Sequence, residues 1–210
     1  MQQFYYNPIY PHKTIVKPMI LPILSYGNSV LKMKALPISV KTTNLETLIK
    51  NMWETMYAAQ GVGLAAPQIG ESKRLFIVDT YPFSDNEDLS LEERNFLRGF
   101  KKVFINPEII EETGKECFFN EGCLSIPGIR EDVKRKDSIT IKFQDLNGKF
   151  IKESLSGIAA RVVQHEYDHI EGILFTDKLS FLKKKTIKRK LAEISIGKIK
   201  VDYKMIFLKN

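Results

Sequence analysis

Residues 164–169 read Gln-His-Glu-Tyr-Asp-His and predict the centre of the fold. An α-helix turns once about every 3.6 residues, so His165 and His169 lie on one helix face and can bind the same metal ion. Glu166 between them can take a proton from a water bound to that ion. The pattern H-E-x-x-H also occurs in helices without a metal, but two of the chain's three histidines lie here. The stretch therefore predicts a metal-binding helix.

This helix is predicted to span residues 157–171 and to end at Gly172, because glycine readily stops a helix. One face carries both histidines together with apolar residues: Ile158, Val162, His165 and His169. A face of that kind packs against the core. The metal site is therefore expected to be buried, which shields its chemistry from bulk water.

The composition is that of an ordinary globular protein, with 43% hydrophobic and 27% charged residues. The 210 residues suffice for one domain with a proper core. No apolar run approaches the roughly 18 residues that a membrane span needs, and residues 1–17 lack the apolar segment of a signal peptide. The cytoplasm is therefore the expected location, and neither a membrane nor DNA is an expected partner.

Positive charge is concentrated in residues 181–210, which hold ten Lys or Arg against two acids, a net charge of +8. The other 180 residues hold 22 against 23, a net charge of −1. This tail is predicted to form an amphipathic helix from about Ser180, followed by a short strand at 201–207. Its basic face is either solvated or bound to an anionic partner such as RNA.

The remaining elements are predicted from periodicity and turn residues. A helix with capping-box spacing between Thr43 and Glu46 runs to a stop at Gly61, and an acidic insert forms a short helix capped by Ser90 with Glu93. Extended segments are predicted at 74–79, 102–106, 117–127, 138–143 and 149–155, the last two as a hairpin around Asn147-Gly148. The resulting fold class is α+β, with mostly antiparallel small sheets packed around the central metal-binding helix.

Residues 61–70 read Gly-Val-Gly-Leu-Ala-Ala-Pro-Gln-Ile-Gly. They do not match a phosphate-binding loop, because the pattern G-x-x-x-x-G-K-[ST] is missing. Glycines this frequent indicate a backbone that passes close to another group or takes positive φ, although a plain glycine-rich turn explains them equally well. Gln68 is the one polar side chain in the stretch, and its amide can donate hydrogen bonds.

A catalytic metal site of this type takes three protein ligands and leaves one position for water. The metzincin pattern H-E-x-x-H-x-x-G-x-x-H is excluded, because its last position is Phe175. Glu193 lies at a thermolysin-like distance but among lysines, and we interpret it as a solvated charge. Two cysteines make no disulfide framework, which leaves Cys123 or Cys117 as a thiolate ligand. Cys117 precedes two phenylalanines and is interpreted as structural, whereas Cys123 lies in a Gly-Cys-Leu segment that can bring backbone and sulfur to one point.

Three segments together resemble the motifs of peptide deformylases: Gly-Val-Gly-Leu-Ala-Ala-Pro-Gln at 61–68, Glu-Gly-Cys-Leu-Ser at 121–125 and Gln-His-Glu-Tyr-Asp-His at 164–169. They occur in the family's order, and the resemblance covers a catalytic domain at about residues 19–180. It does not extend to the insert at 82–101 or to the basic tail at 181–210. Residues 1–18, which include His12, are interpreted as an N-terminal arm that is either disordered or an addition to the natural chain.

The resemblance implies hydrolysis of the N-formyl group from the N-terminal formyl-methionine of nascent polypeptides, which releases formate. It also implies one divalent metal ion, ferrous iron with zinc, nickel or cobalt as substitutes, bound by Cys123, His165 and His169. Glu166 is then the general base, while the side chain of Gln68 and the backbone N–H of Leu124 stabilise the oxyanion.

The same resemblance implies a peptide site in which Val62 and Gly63 run beside the substrate backbone. Ile158 and Val162 are expected either to line the methionine pocket or to pack in the core. Arg130 is expected either to anchor the carbonyl side of the peptide or to be solvated.

Two alternatives remain open. An H-E-x-x-H metallopeptidase would use the same water and base to cut a peptide bond, but it would need a third ligand other than Cys123. A non-enzymatic metal site in a ribosome-binding protein would make the basic tail the functional part. Because nascent formyl-methionine emerges from ribosomes, residues 181–200 are also predicted to contact rRNA or a ribosomal protein.

Overall fold

The computed structural model describes residues 18–208, so nearly all of the predicted N-terminal arm, including His12, lies outside the described residues. Four α-helices are present in that range: α1 Leu45–Ala58, α2 Leu91–Gly99, α3 Gly157–Ile170 and α4 Phe181–Ser195. The described strands are β1 Ile23–Leu24, β2 Gly63–Ala65, β3 Leu75–Asp79, β4 Lys101–Cys123, β5 Ile126–Gln144, β6 Phe150–Ser156 and β7 Met205–Ile206. The predicted α+β class is confirmed. Within residues 18–208, no helix has the length and apolar character of a membrane span.

The strands form two sheets. Five of them make one antiparallel sheet in the order β2-β3-β4-β5-β6, and every neighbour in it is also the next strand along the chain. The small second sheet joins the two ends of the described chain, because β1 pairs with β7 in parallel. Mostly antiparallel strands were predicted, and this prediction is confirmed.

Strand β4 differs from the prediction in its length. The segments predicted at 102–106 and 117–127 belong mostly to one strand of 23 residues, which pairs with β5 along most of its course. The pairing register shifts at four places, the first between Ile105 and Glu108. Such irregularities bend a strand without ending it, so Pro107 and Gly114 interrupt the sequence pattern but not the strand.

The helix starts were predicted with mixed success. The predicted capping box between Thr43 and Glu46 is wrong, because the residue before α1 is Asn44. Asn44 has a φ of 71° and makes no side-chain capping hydrogen bond. The predicted cap of α2 is confirmed, since the Ser90 hydroxyl accepts a hydrogen bond from the Glu93 N–H at 3.2 Å. The tail helix begins where predicted, with the Ser180 hydroxyl accepting from the Lys183 N–H.

Helix α3 lies against the five-stranded sheet, contacting β2, β3, β5 and β6. Its apolar residues join one buried cluster with those of the sheet, among them Phe76, Phe104, Ile141, Ala159 and Val163. The predicted helix at 157–171 and its stop at Gly172 are confirmed. The His-Glu-x-x-His motif is therefore carried by the helix with the largest buried share among the four in residues 18–208.

The tail helix is also part of the packed structure. Ile187, Leu191 and Ile194 are buried in a cluster shared with the start of β5 and with the segment that follows α3. The opposite side of α4 carries exposed lysines. This division confirms the predicted amphipathic helix.

Candidate active site

Cys123, His165 and His169 meet at one point. Their sulfur and ring nitrogen atoms all lie within 4.8 Å of one another, and the Cys123 Sγ is 3.2 Å from the His169 Nε2. The two histidines project from the same face of α3, as the four-residue spacing predicts, and Cys123 ends β4. The structure thus brings together the three residues that the resemblance named.

The ring of His165 is oriented by a residue that the sequence did not single out. The His165 Nδ1 lies 3.0 Å from the Glu121 Oε2, which leaves Nε2 facing Cys123 and His169. A carboxylate in this position selects the tautomer of a metal-binding histidine and fixes its ring. Glu121 is therefore part of the site although it does not belong to the cluster itself.

Glu121 is buried within a group of charges. Its carboxylate accepts hydrogen bonds from Arg135 at 2.7 and 2.9 Å and from Arg161 at 3.1 Å. Burial would raise the pKa of Glu121, but the hydrogen bonds from Arg135 and His165 hold it well below the ordinary value. Arg135 also donates to Asp168 at 2.6 Å, so this network ties β4 and β5 to α3. Glu121 lies in the 121–125 motif and Asp168 in the 164–169 motif, which was the available signal for both.

The other positions considered for a third ligand lie outside the cluster: Cys117, Glu193 and Phe175, the last of which stands where metzincins have a histidine. Cys117 accepts a hydrogen bond from Arg161 at its sulfur and is not in the cluster, so its interpretation as a structural thiol fits its surroundings. Glu193 lies on α4, 3.5 Å from Arg189. Phe175 is buried, with its ring 6.1 Å from that of His165.

Glu166 is enclosed beside the cluster. It is 4% exposed, and within the described part of the chain its Oε2 has no hydrogen-bond partner. Burial raises the pKa of its carboxyl to about 7, against the lowering effect of His165. The backbone of Gly63 in β2 passes so close that a Cβ there would lie 2.4 Å from the Glu166 Oε1. Of the two interpretations of the glycine-rich stretch, close backbone approach is the one observed at Gly63.

Two hydrogen-bond donors line the same space. The Gln68 Oε1 accepts from the Ala65 N–H at 2.8 Å, which turns its Nε2 toward Cys123 Sγ at 3.6 Å and Ser125 Oγ at 3.3 Å. Leu124 directly follows Cys123, and its N–H has no partner among residues 18–208. The side-chain donor and the residue that carries the backbone donor thus line the same cavity as Cys123.

A cavity of about 470 Å³ opens onto the cluster. Four of the residues predicted to contact the peptide line it: Val62, Gly63, Arg130 and Val162. Ile158 is not among the lining residues and packs in the core, the other of its two predicted roles. Three aromatic residues that sequence reasoning missed also line the cavity: Phe83, Phe119 and Tyr203. Phe83 comes from the insert and Tyr203 from the C-terminal segment, so neither lies in a recognised motif.

These residues fit a divalent transition metal. One thiolate and two imidazoles are ligands that such ions prefer, and three protein ligands leave a position for water. The unpartnered, buried Glu166 carboxylate oxygen next to them is the second indication, because a buried carboxylate normally finds a partner.

An α+β fold with a His-Glu-x-x-His helix against an antiparallel sheet and a cysteine beside both histidines defines a class, the metallohydrolases. Residues 20–185 match the polypeptide deformylase family. The chain belongs to this family.

Individual relatives agree with this assignment. A peptide deformylase from Christiangramia forsetii is 61% identical over 189 residues, which are 90% of this chain and 96% of that protein. The crystal structure of a peptide deformylase from Legionella pneumophila is similar with a TM-score of 0.71 and 40% identity, covering 83% of this chain and 94% of the other. A peptide deformylase of Acinetobacter baumannii bound to Met-Ala-Ser has a TM-score of 0.70 and 36% identity, covering 78% of this chain and all of the other. The predicted family, enzyme class and activity, removal of the N-formyl group from nascent polypeptides, are confirmed.

Proposed function

We propose that Cys123, His165 and His169 hold one divalent metal ion and that Glu166 is the general base of N-formyl hydrolysis at this site. The observation that carries this proposal is the convergence of the three ligand atoms within 4.8 Å beside a buried carboxylate that lacks a partner. The bound ion supplies Lewis-acid chemistry. Ferrous iron is proposed as the working metal, with zinc, nickel or cobalt as substitutes.

The protein's own groups then divide the reaction between them. Glu166 accepts a proton from the water that attacks the formyl carbon, and it returns a proton to the departing amine as formate leaves. The Gln68 Nε2 and the Leu124 N–H donate hydrogen bonds to the oxygen that becomes negative in the transition state. One donor of that kind typically lowers the barrier by about 2.7–4 kcal/mol.

The substrate is proposed to enter through the cavity that opens onto the cluster. The Acinetobacter baumannii peptide deformylase binds Met-Ala-Ser in its crystal structure. We propose that a formylated peptide of this kind binds in the cavity of this protein. Val62 and Gly63 line this cavity and are proposed as partners of the substrate backbone, and Val162, which also lines it, is proposed to contact the methionine side chain. Arg130 also lines the cavity, and its Nε donates to the Asn120 Oδ1 at 2.8 Å; we propose that it anchors the carbonyl side of the peptide.

The two cysteines provide a matched test of the ligand set. Cys123→Ala removes a proposed ligand, so the variant should bind less than one tenth of a metal ion per chain and release no formate from formyl-Met-Ala-Ser. Cys117→Ala also removes one thiol, but it should keep a full metal complement because Cys117 lies outside the cluster. Metal analysis after purification without oxygen measures both. Full metal binding by Cys123→Ala would contradict the proposed ligand set.

We also propose that residues 181–200 contact the ribosome, through rRNA or a ribosomal protein, in the cytoplasm where nascent chains are made. Three lysines on α4, Lys184, Lys185 and Lys188, are exposed and have no ion-pair partner among the described residues. Exposed Phe181 and Leu182 lie beside them. Basic and apolar groups side by side suit a ribosomal surface, and the charged part of such binding weakens with salt.

Charge reversal tests this contact. Changing Lys184, Lys185 and Lys188 to Glu should reduce co-sedimentation with ribosomes at least tenfold at low salt while leaving deformylation of a free tripeptide unchanged. The matched control reverses three exposed lysines away from α4, namely Lys41, Lys50 and Lys149. If both triple variants co-sediment with ribosomes to the same extent as the parent protein, the proposed contact is contradicted.

A further inference from the structure

The turn that carries Leu124 has an unusual shape for its length. Only Leu124 and Ser125 connect β4 to β5, and Cys123 pairs with Ile126 across the connection. Two-residue hairpins normally have positive φ at the first central residue, because such turns follow the twist of the strands. Neither Leu124 nor Ser125 has a positive φ, and the register shifts immediately before the turn. The hairpin alone therefore does not fix this turn well.

Contacts from outside the hairpin hold the turn instead. The Tyr203 hydroxyl donates to the Leu124 carbonyl at 2.7 Å, and the Tyr26 N–H donates to the Ser125 carbonyl at 2.8 Å. The peptide between Leu124 and Ser125 is the central one of the turn, and its rotation interconverts the common turn types. Tyr203 is the one side chain in residues 18–208 that bonds the carbonyl of this peptide.

Tyr203 is itself fixed in place. It immediately precedes Lys204, whose carbonyl accepts from the Ile23 N–H at 2.9 Å where β7 pairs with β1. Its ring packs with Leu124 against the buried cluster that includes Met52, Met56 and Leu64. The ring also lines the cavity of the active site. Tyr203 in the C-terminal segment thus contacts Leu124, the residue that carries a proposed oxyanion donor.

We propose that Tyr203 is a positioning residue for deformylation, an inference that rests on the proposed role of the Leu124 N–H. Its hydroxyl keeps the Leu124–Ser125 peptide in one orientation. This in turn keeps the preceding peptide, which supplies the Leu124 N–H, directed at the place where the oxyanion forms. Part of the active site is therefore contributed by the segment after α4, outside all three sequence motifs.

Tyr203→Phe tests the inference, because it removes the hydroxyl and keeps the ring. In metal-loaded protein acting on formyl-Met-Ala-Ser, kcat should fall about three- to tenfold, the range for one neutral hydrogen bond, while KM stays within about twofold. Tyr57→Phe is the matched control, since the Tyr57 hydroxyl donates to Asp79 at 2.6 Å and does not line the cavity. This control should keep its kcat.

A measurement without substrate makes the test independent of turnover. Amide hydrogen exchange in a fragment covering residues 121–127 should be faster in Tyr203→Phe than in the parent protein or in Tyr57→Phe. Unchanged exchange and unchanged kcat in Tyr203→Phe would overturn the inference, and so would a loss of kcat that merely follows a loss of metal. Absence of formate release by the parent protein would instead contradict the proposed function, and the exchange result would still decide whether Tyr203 holds the turn.

Discussion

Glu166 has room for its carboxylate only because position 63 has no side chain. A Cβ on Gly63 would lie 2.4 Å from the Glu166 Oε1 and 2.7 Å from its Cγ, closer than real contacts allow. Gly63 does not have a positive φ, so alanine is compatible with its backbone. Gly63→Ala should therefore fold and bind metal, but the displaced Glu166 should lower kcat at least tenfold in the formate assay, since a small misplacement of a catalytic group is costly.

Gly99→Ala is the control for this substitution. A Cβ at Gly99 meets nothing within 4 Å, and the residue ends α2 without a positive φ. Its kcat and metal content should match those of the parent protein. Equal activity of Gly63→Ala and Gly99→Ala would contradict the predicted displacement of Glu166 by a side chain at position 63.

The chemically distinctive residues were predictable one by one, whereas their supporting residues were not. Two histidines four apart and a cysteine in a known motif identify themselves by residue type. Glu121 shares the 121–125 motif with Cys123, but its residue type does not show its role, because that role depends on two arginines from β5 and α3 at sequence separations of 14 and 40 residues. Tyr203 was missed for the same reason, since its partner Leu124 lies 79 residues earlier.

The end of α3 shows why its glycine was a reliable signal. Gly172 has a φ of 74°, and its N–H and that of Ile173 donate to the carbonyls of His169 and Asp168. This is the pattern of a Schellman motif, which satisfies the last carbonyls of the helix. A Cβ on Gly172 would lie 2.7 Å from the backbone oxygen of Lys32. Both the positive φ and this close approach therefore favour glycine at position 172.

Gly172→Ala should accordingly reduce the free energy of unfolding by more than a left-handed conformation alone explains. Gly70→Ala isolates that conformational cost, because Gly70 has a φ of 85° and its nearest Cβ neighbour is 4.0 Å away. We expect a loss of about 1–2 kcal/mol for Gly70→Ala and about 1–2 kcal/mol more for Gly172→Ala. Urea unfolding at equal metal loading measures both, and equal losses would contradict the predicted contact with Lys32.

The elements were predictable where a local signal defines them. The apolar face of α3, the Ser90 cap of α2 and the hairpin around Asn147-Gly148 each follow from neighbouring residues. The continuity of β4 does not, because it is set by its pairing with β5 across four register shifts that leave no trace in the composition. The predicted start of α1 was wrong by one residue, since Asn44 rather than Thr43 occupies the capping position and takes a positive φ of 71°.

The two ends of the described chain, residues 18–208, are paired with each other. β1 and β7 pair in parallel, and the buried residues of α4 share a cluster with Leu24 and Leu31 near the start of the described chain. The predicted division into a catalytic domain at 19–180 and a basic tail at 181–210 stays a prediction. The contacts of α4 and Tyr203 indicate that removing the whole tail would disturb the active site as well as any ribosome contact. Point substitutions are therefore the better tools for separating the two.

The central claim is the proposal that Cys123, His165 and His169 would hold one metal ion and that Glu166 is the general base of formyl hydrolysis at this site. The most direct measurement is formate release from formyl-Met-Ala-Ser by protein purified without oxygen, with metal counted in the same sample, for the parent chain and for Glu166→Gln. We predict rapid formate release at one metal ion per chain, and a kcat lower by about 10²- to 10⁴-fold in Glu166→Gln with its metal retained. No formate from the fully loaded parent protein, or an undiminished rate in Glu166→Gln, would contradict the account.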